Sequence, residues 1–169
     1  MNFLSRLLRP PADPPATALY NAIVGMARDP RWFTAGGVPD TIDGRFDMVA
    51  LIVALVLARL EALPDTGQLS ADVTERFIAD MDGSLRQLGF GDPSVGKQVG
   101  NMVSALGGRL GAYRAAGTDD SALRAALIRN LWRGVSPGVA AEDWTLAKVR
   151  QVQARLSALD ADALAAARL

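Results

Sequence analysis

The sequence predicts an all-α fold, a single-domain bundle of about six helices, and three observations predict it. Apolar residues recur three and four positions apart, as in Val73, Phe77, Met81, Leu85 and Leu88, which is the period of one helix face. No segment alternates apolar and polar residues as a half-buried strand does. Capping residues and helix breakers stand where they bound segments of helical length.

The elements follow in chain order. Phe3, Leu4, Leu7 and Leu8, with Arg6 and Arg9, have the spacing of about two turns of amphipathic helix before the prolines at 10 and 11. Residues 1–16 therefore read as a tail, either frayed or in contact with a membrane surface, and residues 17–169 as the helical domain. Thr17 caps a helix to about Arg28, where Asp29-Pro30 ends it because the residue before proline is pushed out of the helical region. A loop, RWFTAGGVPD, follows, and Asp40 or Thr41 caps a helix that runs to about Leu63. Within it MVALIVALVLA, residues 48–58, is too short to cross a bilayer, which needs about 20 residues, and reads as a buried helix. Ser70 or Asp72 opens the next helix, on which Asp82 and Arg86 are spaced as an i,i+4 pair. Further helices are expected at 93–115, 119–133 and 141–158, with a weak helical tail to Ala167.

Composition narrows the chemistry. The 169 residues carry 18 basic and 18 acidic side chains, so no global field favours nucleic acid or an anionic membrane. The chain has no cysteine and no histidine, which removes thiol nucleophiles, disulfides, zinc fingers, the commonest general base and the commonest metal ligand. That inventory is poor for catalysis, and neither a cofactor nor a metal is expected. Asp40, Asp43 and Asp47 sit near a helix start and complement its dipole. They lack the spacing and closing glutamate of a calcium loop, so structural use is favoured over a cation site. Asp80 and Asp82, two apart on a helix, point to different faces and do not form a catalytic pair.

One stretch, GDPSVGKQ at 91–98, has the skeleton of a phosphate-binding loop. It follows a helix instead of a strand, and Gln98 stands where a magnesium-binding hydroxyl is required. A helix corner explains it better. Gly89 suits the left-handed residue after a helix, Phe90 its accompanying apolar contact, Asp92 the next N-cap and Pro93 the first helical position. A nucleotide-dependent switch built on Lys97 is therefore a minor reading. The helix so opened carries Gly96, Gly100, Ser104, Gly107 and Gly111 in one narrow sector. Interior glycines cost about 1 kcal/mol each relative to alanine, so close backbone packing is expected in return. A tight contact inside the bundle, with the 48–58 helix as partner, is favoured slightly over a groove open to a partner helix.

Several segments together resemble the ubiquinol–cytochrome c chaperone family: LYNAIVGMARDPRWF, GGVPDTIDGRFDMVALIVALVLARLE, FIADMDGSLRQLGFGDPSVGKQVGNM, GRLGAYRAA and RNLWRG. The resemblance covers about residues 19–134, and the two ends of the chain carry little of it. Family members often have histidine where Ile52 stands and aromatic residues where Leu106 and Gly107 stand. The resemblance implies a non-catalytic, all-helical assembly factor whose client is cytochrome b or a similar membrane protein. It also implies a small companion protein and contact with the ribosome. The chain is expected in the cytoplasm, with the inner face of the membrane as a further option, and its balanced charge points to no specific nucleic acid. The rival reading is a helical membrane-surface adaptor with no such client.

Trp32, Phe33, Asp40, Asp43, Arg45, Asp82, Arg86, Phe90, Lys97, Arg109 and Tyr113 are the candidate partner-binding residues. Arg45, Lys97 and Arg109 would meet acidic groups of a partner, or else Asp40, Asp43 and Asp82 within the bundle. Trp32 and Phe33 would be exposed anchors, or more commonly pins that fix their loop to the core.

Overall fold

A computed structural model describes residues 15–87 and 92–169, with side chains described outside 85–95. The described residues form a single all-α domain. Its helices are α1 (Pro15–Ala27), α2 (Arg31–Thr34), α3 (Ile42–Glu61), α4 (Gly67–Gln87), α5 (Asp92–Ala116), α6 (Asp120–Asn130), α7 (Val139–Ser157) and α8 (Ala161–Ala165).

The centre is α3. Every residue from Met48 to Leu57 is buried, so this helix is apolar on all sides because helices surround it: α1, α4, α5 and α7 pack on it. Its start is fixed by Thr41, whose hydroxyl accepts the Gly44 N–H at 3.1 Å. Val73, Phe77 and Met81 of α4 are buried as their spacing requires, while Leu85 and Leu88 lie outside the described side chains. Asp119 caps α6 by accepting from Ser121 and Ala122, and Asp160 caps α8 by accepting from Ala163.

Four expectations are corrected. The helix α4 begins at Gly67, a turn ahead of Ser70. There the Thr66 hydroxyl bonds the Leu60 and Leu63 carbonyls and fixes the junction with α3. The RWFT of the expected loop is a turn of helix, α2, and Asp29 accepts the Arg31 N–H at its start. The start of α1 is at Pro15, where a proline loses no hydrogen bond. The fourth correction concerns the glycine sector of α5, which faces solvent. A Cβ added at Gly96, Gly100, Gly107 or Gly111 meets no atom within 4 Å. Leu106, Arg109, Tyr113 and Ala116, on another sector, are the buried residues among the described side chains of α5.

Because those glycines touch nothing, their cost in helix propensity is not returned inside the bundle. Gly100→Ala and Gly107→Ala are each expected to stabilise the fold by about 1 kcal/mol, a rise in Tm of about 2–4 °C per substitution. Thermal unfolding followed by circular dichroism reads this directly. A loss of stability would mean that the sector is covered.

Candidate functional site

Between α1, α3, α4 and α5 lies an open cleft of about 750 Å³. Its apolar wall is built from Val24 and Ala27 of α1, Phe33 of α2, Phe46 and Val49 of α3, Met81 of α4 and Met102 of α5. Arg28, Asp43, Arg45 and Asp80 are charged residues of its lining. Ile42 also lines it and stays 62% exposed, a large apolar side chain turned to solvent in the first turn of α3.

Next to the cleft is a buried ion cluster. Asp47, 1% exposed, accepts from Arg109 at 2.5 Å and from Arg133 at 2.8 Å. Arg133 also donates to Asp43 at 2.8 Å, and Arg109 donates to the Asn130 carbonyl at 3.2 Å. Burial pushes the Asp47 carboxyl above its ordinary pKa, while Arg133 and Arg109 pull it back down. Phe46 joins the two features. It lines the cleft, lies 5.9 Å from the Phe77 ring, and sits 5.4 Å beneath the Arg109 guanidinium. Asp43 joins them too, lining the cleft while it binds Arg133.

The candidate residues fall into four groups. Phe33, Asp43 and Arg45 line the cleft. Arg45 donates to Asp40 at 2.7 Å and its guanidinium lies 5.8 Å from the Phe33 ring, so Asp40 orients this rim. Trp32, Arg109 and Tyr113 are buried in the bundle. Trp32 donates to the Met26 carbonyl at 2.9 Å and meets Trp144 edge-on, which pins the loop to the core. Arg109 is 9% exposed and pairs with Asp47, an internal partner outside the three expected ones. Burial also raises the pKa of the Tyr113 phenol. Lys97 is exposed and Asp82 is half-buried. Phe90 and the side chain of Arg86 lie outside the described residues, as does the 88–91 corner, although helix stands on both sides of it.

Sequence reasoning missed Asp47 as an ion-cluster residue, as well as Asp80 and the methionines of the cleft. The Tyr20 hydroxyl donates to Asp80 at 2.8 Å, and burial together with this bond pushes the phenol pKa up. A usable signal for Asp47 was its place beside the 48–58 run, because a helix buried on all sides draws its neighbouring charge inward. Among the described residues no helix is long and apolar enough to cross a membrane, and no cluster of acidic residues is arranged to hold a metal ion.

Comparison with known proteins bears on this architecture. The family model described as ubiquinol-cytochrome C chaperone matches residues 34–169. The match thus includes residues 135–169, where the quoted motifs carry little resemblance, and those residues supply buried Val149, Leu156 and Leu164 to the core. The crystal structure of the Cbp3 homolog from Brucella abortus is similar, with a TM-score of 0.81 and 34% identity over 92% of this chain and 87% of that one. No curated protein matches. The chain belongs to the ubiquinol–cytochrome c chaperone family.

Proposed function

We propose that the protein is a non-catalytic assembly chaperone for the ubiquinol–cytochrome c reductase complex, and that the cleft holds an apolar segment of cytochrome b. The observation that carries this reading is the cleft itself, an apolar wall bordered by charged side chains and open to solvent on a member of a chaperone family. Met81 and Met102 suit such a task because unbranched thioethers repack around different apolar shapes. A helical segment would place its apolar face, repeating every three to four residues, against Phe33, Phe46 and Val49. Arg28, Arg45, Asp43 and Asp80 would set its orientation, and release would follow when the client buries the same surface in its own complex. Contact with a companion protein, the ribosome and the inner face of the membrane belongs to the same proposal by family resemblance.

The test is site-specific photocrosslinking in the native host, with probes at Ile42 and Gln98, both of which line the cleft. Cytochrome b is expected among the captured proteins before it joins its complex. Ile42→Asp is expected to cut that capture by about tenfold or more, since an unpaired carboxylate must then be buried against apolar surface. An acidic residue suits the first turn of α3, so the fold should tolerate the change. If cytochrome b is never captured and its assembly is normal in a deletion strain, the client reading fails.

A further inference from the structure

The cleft is continuous with a second groove of about 320 Å³, which shares Val24, Arg28 and Asp80 with it and adds Thr17, Asn21 and Arg76. Where the cleft has an apolar wall, most residues that line this groove are polar. Among the described residues, the side chains of Arg28 and Arg76 make no hydrogen bond or ion pair. The exposed Arg31, Arg45 and Arg114 each hold a carboxylate, so an arginine without a counter-ion is not the rule on this surface. The Thr17 hydroxyl is shielded and also has no partner among the described residues. Asp80 is the carboxylate of the lining, and it accepts from the Tyr20 hydroxyl at 2.8 Å. Two guanidiniums that lack an internal anion thus share one groove.

We propose that this groove is a carboxylate-binding subsite of the client site. It takes an acidic side chain of the same helical segment whose apolar face fills the cleft. The proposal rests on the reading of the cleft as the client site.

Charge selects the ligand. Two arginines against one aspartate leave the lining with one positive charge in excess. The planar fork of a guanidinium matches the two oxygens of a carboxylate. A lipid phosphodiester offers acceptors only, so Asp80 would repel it and find no donor in it. A peptide brings both a carboxylate for the arginines and N–H or O–H groups for Asp80.

Spacing follows from the helices. From Arg76, in the groove, to Ser84, in the cleft, α4 rises about 12 Å. A helical ligand lying along α4 covers that length in about two turns. Its acidic residue therefore stands about eight residues from the apolar side chain at the Ser84 end of the cleft.

The test is fluorescence anisotropy with the purified full chain and labelled helical peptides. Each peptide carries leucines at spacings of three and four, with one glutamate two turns before or after them, and each has a glutamine counterpart. One glutamate peptide is expected to bind about tenfold more tightly than its counterpart. Arg28→Gln, Arg76→Gln should abolish that preference while the glutamine peptides keep their affinity within about twofold. Both arginines are exposed and without partners among the described residues, so the Tm of this variant should match the parent. Equal binding of glutamate and glutamine peptides, or a preference that survives the double replacement, would overturn the proposal and leave the apolar cleft standing as a client site. Failure of every peptide to bind would remove both. A glutamate preference without any capture of cytochrome b in cells would keep the subsite and remove cytochrome b as the client. Displacement of the glutamate peptide by dihexanoylphosphatidylglycerol, but not by dihexanoylphosphatidylcholine, would assign the groove to a lipid headgroup and overturn the proposal.

Discussion

Asp47→Ala is expected to destabilise the fold by about 3–5 kcal/mol, a large share of what a domain of this size has to spare. The carboxylate is the common partner of Arg109 and Arg133, and removing it leaves the Arg109 guanidinium buried without an anion. The remaining contacts of Arg109 are the Asn130 and Ala105 carbonyls and the Phe46 ring, none of which carries a formal charge. Arg133 loses less, since it keeps Asp43 and is half exposed. Urea unfolding of the single variant measures the cost. The double replacement Asp47→Leu, Arg109→Met should recover most of it, because exchanging a whole buried pair for apolar groups is often neutral. A single-variant loss below about 1 kcal/mol would mean that the cluster is solvated, and would remove the case for a buried ion pair behind the cleft.

Gly44→Ala is the second large effect, expected to cost about 2–3 kcal/mol through overpacking. A Cβ at this position would stand 1.9 Å from the Pro39 carbonyl oxygen. The carbonyl has little room to retreat, because it accepts the Thr41 N–H at 2.8 Å and Val38 before it is buried. Thr41 in turn caps α3 through the Gly44 N–H. Relieving the clash therefore moves the cap and the first turn of α3, which bring Thr41, Ile42, Asp43, Arg45 and Phe46 to the cleft. A loss of client capture should accompany the loss of stability. An unfolding free energy within about 0.5 kcal/mol of the parent would show that the close approach is absent. Gly37 is a related case on the same loop, with φ +63° and Pro137 2.8 Å from where a Cβ would stand.

How legible this was in the sequence depends on the range of the interaction. The cap of α3 was readable as Asp40 or Thr41, and Thr41 supplies it, because a cap is decided within three residues. The burial of 48–57, all but the last residue of the apolar run, was readable because an all-apolar helix has no face to give to water. The partner of Arg109 was not readable. Asp40, Asp43 and Asp82 were all as plausible by charge, and only the packing of α5 on α3 selects Asp47, 62 residues away. The glycine sector misled for a related reason. Propensity says that several glycines in one helix are costly, but it does not say whether another backbone lies close enough to return the cost, and here none does within the bundle. The cleft was legible only as scattered candidates: Phe33, Asp43 and Arg45 were named, but Met81 and Met102 face it from helices whose relative placement no local pattern specifies.

The ion cluster also bears on the order in which the bundle is assembled. The bond from Arg133 to Asp47 closes a loop of 86 residues, and the bond from Arg109 to Asp47 closes one of 62. Closing loops of that length is entropically costly, so neither bond is of use to the chain until α4 and α5 have already returned to α3. The cluster is thus expected to act as a late latch on the folding route. Interactions that form after the transition state slow the escape from the native state without speeding its formation. Asp47 is thereby expected to lengthen the lifetime of the assembled bundle, and faster unfolding of Asp47→Ala with little change in its folding rate would show it.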